Sequence, residues 1–167
     1  MADIPIDILR EHLRCNPKTG ELFWKIKKVG RTMGKAMGQK HKKNYLCFGF
    51  EKKVYYAHRA IFALCKGYYP EEVDHINEDR SDNRICNLRA ATHAQNNWHK
   101  KPVLRNTSGK PGVRYRRWRN DGTGKWVAWI TVNKKYLWLG LHETFEDAVR
   151  ARQKAEKKYH GKFMYNK

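Results

Sequence analysis

At 167 residues the chain has room for one ordinary domain or two small ones, and 36 lysines and arginines against 16 acids leave it at +20. No apolar run approaches the ~20 residues needed to cross a bilayer, which argues against a membrane span, and self-repulsion at this charge points to an anionic partner. The excess is uneven, with 19 basic and 11 acidic residues in 1–100 (net +8) and 17 and 5 in 101–167 (net +12). Six Trp and nine Tyr are interleaved with the cations, a combination suited to nucleic acid, where stacking and apolar base contacts supplement phosphate neutralisation.

The start of the chain, Met1-Ala2-Asp3-Ile4-Pro5, lacks the charged-then-apolar pattern of a secretion signal. Cys15, Cys47, Cys65 and Cys86 are widely spaced, without the short-spaced pairs of a zinc site, so ordinary thiols in a reduced, cytoplasmic compartment are expected. Residues 5–14 read as a short amphipathic helix, with Pro5 in the first turn and Ile6, Leu9 and Leu13 on one face. Asn16 to Gly20 is a turn on composition, and Glu21 to Ile26 a strand. Residues 27–43 are rich in glycine and lysine, equally readable as a solvated loop or as a basic arm along phosphates. Tyr45 to Phe50 and Val54 to Ala57 form a hairpin around Glu51-Lys52-Lys53, and His58 to Lys66 a helix ending at Gly67. His58, a lone imidazole at a strand-to-helix junction, reads as a packed or capping residue.

Acid, imidazole and amide side chains are concentrated between residues 73 and 97. Val73 to Ile76 reads as a short strand carrying Asp74 and His75, residues 77–84 as a polar loop, and Thr92 as the cap of a helix through Trp98. Hydrolysis of a phosphodiester needs a base for the attacking water and positive charge on the phosphate. A neutral His75 suits the first need. Asp74 and Asn96 offer hard oxygen ligands to a divalent ion for the second. Asn87 could accept the His75 Nδ1 hydrogen and leave Nε2 to take a proton. Asp79 and Asp82 could equally build some other acidic site.

Ala57-His58-Arg59-Ala60, Val73-Asp74-His75-Ile76-Asn77, Asp82 to Arg89 and Thr92 to Asn97 together resemble the HNH endonuclease family over about residues 55–98, and within it the phage-borne and intron-encoded homing endonucleases. The resemblance implies a ββα-metal motif holding one divalent ion, Mg²⁺ or another hard cation such as Mn²⁺. Asp74 and Asn96 would be its ligands, His75 the general base and Asn87 the residue orienting that base. The family's last letter is often a histidine. Asn96 stands in its place here, with His93, one turn earlier, as the rival ligand; Asn97 would point off that face.

Residues 101–110 read as a linker. Beyond it, three period-two segments cover 112–118, 125–132 and 135–140, and a helix follows with Thr144 as cap, Asp147 three residues on, and Gly161 as its stop. Sorted by parity, Val113, Tyr115, Trp126, Ala128, Ile130, Val132, Leu137 and Leu139 face a core. Arg114, Arg116, Trp118, Lys125, Trp129, Thr131, Tyr136 and Trp138 face outward. Aromatic rings exposed among cations mark a binding surface.

The stretches Ser108-Gly109, Gly112-Val113, Trp126 to Ile130, Tyr136 to Gly140, Thr144 to Ala148 and Tyr159-His160-Gly161 are similar to the AP2 DNA-binding domain over residues 107–163. That similarity implies a three-stranded antiparallel sheet set in a major groove and backed by a helix. Arg114, Arg116, Trp118, Trp129, Thr131, Tyr136 and Trp138 would be the contact positions. Trp129 and Thr131 stand where plant members often carry Glu and Arg, so no sequence preference transfers.

The expectation is therefore an α+β chain with an HNH nuclease domain of ββα-metal type at 1–100, a linker at 101–110 and an AP2-like domain at 111–167. Its activity would be metal-dependent nicking of double-stranded DNA by a monomer of homing type, in the cytoplasm of an infected bacterial host if phage-encoded. No protein partner is evident. The rival readings are a non-catalytic AP2-type DNA-binding regulator and an RNA-binding protein.

Overall fold

The computed structural model describes residues 3–25, 39–40 (backbone only), 44–100, 107–118 and 123–165. Most of the basic 27–43 stretch and of the expected linker lie outside the described residues. The chain is mixed α+β, and it forms two compact units, Met1–His93 and Ala94–Lys167.

In the first unit, helix α1 (Ile6–His12) runs directly into strand β1 (Leu13–Asn16), so Leu13 packs from a strand rather than from the helix expected for 5–14. Turn Asn16–Gly20 is closed by Gly20 N donating to Asn16 O and returns the chain as β2 (Glu21–Trp24), antiparallel to β1. Gln39–Lys40 (β3) pairs with β4 (Leu46–Phe50), and β4 with β5 (Lys53–Tyr56). The two-residue turn between β4 and β5 places Glu51 and Lys52 at φ 47° and 61°, the left-handed pair that matches the twist of a tight hairpin.

Helix α2 (Ala57–Lys66) is the centre of the core. Its Ala57, Ala60, Ile61, Phe62 and Ala63 are buried with Leu9, Leu13, Leu22, Phe48, Phe50, Val73 and Leu88. Gly67, at φ 79°, ends the helix by donating its N–H to Ala63 O, a conformation that a side chain would disfavour. Arg59 leaves the same helix to bind the Asp3 carboxylate and the carbonyls of Pro70 and Glu71. The Cys15 and Cys65 sulfurs lie 3.5 Å apart as free thiols, and burial pushes the Cys15 thiol up to about 12.

On this core sits a hairpin of β6 (Glu72–His75) and β7 (Leu88–Ala91), pairing Asp74 with Arg89 and His75 with Leu88. The loop between them ends in a 3₁₀ turn, Ile85–Asn87, and helix α3 (His93–His99) follows.

The division between the units falls inside α3. In the second unit the Trp98 ring stacks on His160 at 4.5 Å, which ties that end of α3 to the C-terminal residues. Strands β8 (Val113–Arg117), β9 (Gly124–Val132) and β10 (Lys135–His142) form an antiparallel sheet with β9 central. The β9–β10 turn, Asn133-Lys134, again uses two left-handed residues. Helix α4 (Phe145–His160) packs on the sheet through Ala148, which meets Val113 and Ala128. Small side chains at these three positions let helix and sheet approach closely.

Thr144 caps α4 as expected, its Oγ1 accepting from Asp147 N at 3.1 Å. Two departures from the parity pattern stand out. Tyr115, assigned to the core, is 42% exposed and leans edge-on against Trp126. Val127 is 1% exposed although it lies on the outward side, walled in by its cross-strand neighbours Arg114 and Leu141. Both follow from geometry. Tyr115 stands on the edge strand β8, whereas Val127 lies on central β9, flanked by strands on both sides.

Candidate active site and candidate DNA-binding face

Strand β6 carries the two central side chains. Asp74 and His75 are 5% and 4% exposed, unusually deep for ionisable groups on adjacent residues. A strand sends neighbours to opposite faces, so each needs its own partner. Asp74 Oδ2 accepts from Arg89 Nε at 2.7 Å across the β6–β7 pair. The imidazole of His75 lies among rings: Tyr45 at 6.0 Å and His58 at 5.0 Å between centroids. The Arg80 guanidinium stands over Tyr45 at 5.1 Å.

The second ring nitrogen of His75, Nε2, is 3.0 Å from Asn83 Oδ1. Burial pushes this imidazole below its ordinary value, opposed by the Asn83 hydrogen bond and by the carboxylates of Asp74, Asp79 and Asp82. The result is a neutral ring at neutral pH, the form that can accept a proton.

Asn87 is placed differently from expectation. Its Oδ1 accepts from Asn77 N at 3.0 Å and its Nδ2 donates to Asp82 O at 2.8 Å, while its backbone O accepts from Ile76 N. The amide therefore clamps the mouth of the loop behind His75, and the expected bond to the imidazole is not among those of the described residues. The amide that meets His75 is Asn83.

Asp79 and Asp82 are spent on the loop itself. Asp79 Oδ1 accepts from Ser81 N and Oγ, and Asp82 holds Arg84 and Asn77. The Arg84 guanidinium and these hydrogen bonds hold the Asp82 carboxyl at about 2.

His93 is exposed, and its Nδ1 bonds Glu72 Oε1 at 2.6 Å. Asn96 lies half-buried in the part of α3 that belongs to the second unit, and Asn97 is exposed. Among the described residues, no group of three or more His, Cys, Asp or Glu is placed to hold a metal. A site using amide oxygens would need fewer such residues. A carboxylate has about four acceptor positions, and Arg89 Nε meets Asp74 at Oδ2.

His58, expected to be a packed residue, is packed, but against the site. It is 6% exposed, lies between Tyr45, Tyr56 and His75, and its Nδ1 has no hydrogen-bond partner among the described residues. Burial, with the nearby His75 and Arg59, lowers it to about 3. Neither His58 nor Asn83 carried a sequence signal for this placement, because each sits in a local pattern that reads equally well as structural.

In the second unit, register and parity put Arg114, Arg116, Trp129, Thr131, Tyr136 and Trp138 on one side of the sheet, and Trp118 follows directly after β8. Trp118, Tyr136 and Trp138 are 45%, 56% and 51% exposed, with Arg114, Arg116 and Thr131 also open and Trp129 half-buried. The rings are held by their neighbours. Arg116 lies over Trp118 at 4.4 Å, Arg114 over Trp129 at 5.5 Å, and Trp129 stacks on Tyr136. Opposite this face, Val113, Ala128 and Leu139 pack with α4.

No helix among the described residues is long and apolar enough to cross a membrane. No curated protein and no solved structure matches the chain. Residues 55–98 match the model of a family described as HNH endonuclease. That segment runs from β5 through the Asp74–His75 strand and its hairpin into α3, and the match supports a nuclease with a DNA substrate.

Proposed function

We propose that the protein is a metal-dependent DNA endonuclease of homing type, in which His75 is the general base. The observation that carries this reading is a buried His75 next to a buried carboxylate, Asp74, within the segment that resembles HNH endonucleases. His75 would take the proton from the attacking water, at a position from which bulk solvent is largely excluded. Asn87, by clamping Asn77 and Asp82, keeps the end of the hairpin closed behind the imidazole.

The hard oxygen donors of Asp74 and Asn96 suit Mg²⁺ or Mn²⁺, with His93 as the rival to Asn96. Bound there, the ion would supply positive charge to the phosphate and the departing 3′ oxygen. The expected ends are 5′-phosphate and 3′-hydroxyl. One centre per chain implies a nick from a monomer.

The second unit would supply affinity and site choice as an AP2-type module. Arg114, Arg116, Trp118, Trp129, Thr131, Tyr136 and Trp138 would meet duplex DNA. What supports this is a face of cations stacked on exposed rings in a chain of charge +20.

The test is a supercoiled plasmid with Mg²⁺. Open circles are expected first; linear product without that stage overturns the monomeric nick. His75→Ala should slow cleavage by about 100-fold or more while gel-shift affinity stays close to wild type. Retained cutting would remove His75 from its role. Binding with no cleavage in Mg²⁺ or Mn²⁺ would favour the non-catalytic AP2-type regulator. Duplex RNA should compete poorly, because its deep, narrow major groove excludes such a sheet.

A further inference from the structure

We infer that Asn83 is the positioning residue for His75, and that the turn between β1 and β2 holds Asn83 in place, so that Nδ1 of His75 is the nitrogen that accepts the proton. The inference rests on the reading of His75 as general base and deepens it.

Asn83 is 2% exposed, the most deeply buried polar residue among the described residues of the first unit, in a loop whose neighbours Asp79 and Arg84 lie at the surface. Burying an amide is costly unless it is hydrogen-bonded, and its Oδ1 faces His75 Nε2 at 3.0 Å. An amide oxygen can only accept. The hydrogen of the neutral ring is therefore on Nε2, and the lone pair on Nδ1. In the alternative tautomer two lone pairs would face each other at 3.0 Å in a buried setting. The Asn87 amide meets other groups, its Oδ1 accepting from Asn77 N and its Nδ2 donating to Asp82 O.

The position of Asn83 is set from the other end of the unit. Gly20, at φ 71°, lies so close to the Asn83–Arg84 peptide that an added Cβ would stand 2.4 Å from the Asn83 carbonyl carbon and 2.5 Å from Arg84 N. One residue beyond Arg84, Ile85 N donates to Pro17 O at 3.0 Å. The β1–β2 turn thus touches the loop on both sides of Arg84. Backbone meets backbone at Gly20, so the contact leaves no flexible side chain to absorb a displacement. A shift of the turn is passed to Asn83 and, through its amide, to the ring.

The experiment uses the full-length, metal-free chain labelled with ¹⁵N at histidine, with His75→Gln assigning the His75 signals. Long-range ¹⁵N–¹H spectra above the imidazole titration range report which nitrogen carries the hydrogen. Wild type is expected to show one tautomer, protonated at Nε2. Asn83→Ala should give a mixture, with kcat on plasmid DNA reduced about 10- to 100-fold and KM little changed. Asn83→Asp keeps an acceptor in the same place and should retain the Nε2–H tautomer, which leaves the idea testable if the alanine variant does not fold. Gly20→Ala should mix the tautomers without touching His75.

A wild-type ring protonated at Nδ1 overturns the inference, as does a folded Asn83→Ala protein whose His75 keeps the pure Nε2–H form. These spectra do not depend on cleavage. If His75→Ala still cuts DNA while the tautomer behaves as described, the general-base reading fails and the positioning of the ring by Asn83 stands.

Discussion

The two units place their polar and aromatic groups in opposite ways. In Met1–His93 the polar groups point inward: Asp74, His75, His58, Asn83 and Asn87 are all buried. In Ala94–Lys167 they point outward, where Arg116, Trp118, Tyr136 and Trp138 cover one face of a sheet with little above them. A proton-transfer group gains from burial, because a low-dielectric surrounding sets its protonation state. A surface that meets a long polyanion gains from exposure, because phosphates must reach many cations at once. The difference suggests that changes on the sheet should act on affinity, and changes around β6 on chemistry and on acid stability.

The largest effect short of removing His75 is expected at the sheet. Arg116→Ala combined with Trp138→Ala removes one cation and one stacking ring, together about 3 kcal/mol or roughly 100-fold in Kd for duplex DNA at fixed salt. Single-turnover cleavage at saturating protein should hardly change. Unaltered affinity in a fluorescence-anisotropy titration would move the DNA contact off this face. A cleavage rate that falls while Kd stays put would blur the contrast between the units.

A smaller effect follows from His58. Burial keeps its imidazole neutral until about pH 3, whereas the unfolded chain takes up a proton near 6.5. The unfolded state therefore binds more protons below 6.5. This stability is fully present above that pH and is lost as pH falls towards 3. At pH 5 the loss from this residue is about 2 kcal/mol. Urea unfolding at pH 7 and pH 5 should show a drop in midpoint for wild type that His58→Phe reduces. Equal drops in the two proteins would mean that His58 is not held neutral in the folded chain.

Smallest is the α4 cap. Thr144→Ala removes the acceptor for Asp147 N and should lower stability by about 1 kcal/mol, read as a lower urea midpoint, while Thr144→Ser should restore it. The rate of DNA cleavage per bound molecule is expected to be untouched, since α4 packs behind the sheet.

Where a segment's role depends on local periodicity, the sequence was legible. The alternation in β8, β9 and β10 by itself separates Val113, Ala128 and Ile130 from Arg114, Trp129 and Thr131. Thr144 with Asp147 and Gly161 marked the ends of α4 as they stand, and Asp74-His75 stood out as an acid beside an imidazole on a short strand. Each of these is a near-neighbour property, set by backbone period or by a cap within three residues. Tyr115 escaped the pattern because parity assigns a face but not whether the strand stands at the edge or the centre of the sheet.

Only the tertiary structure decided which amide meets His75. Asn77, Asn83 and Asn87 lie in one polar loop, and their side chains offer the same donors and acceptors, so composition ranks none above the others. The loop's path separates them: Asn87 folds back on Asn77 and Asp82, while Gly20 and Pro17, about sixty residues earlier, press the Asn83–Ile85 backbone into place. The same holds for His58, whose nearness to His75 comes from the packing of α2 against β6. A hydrogen bond between residues eight apart in a non-repeating loop has no period to be read. It exists because two distant backbones approach to within contact, which no local pattern encodes.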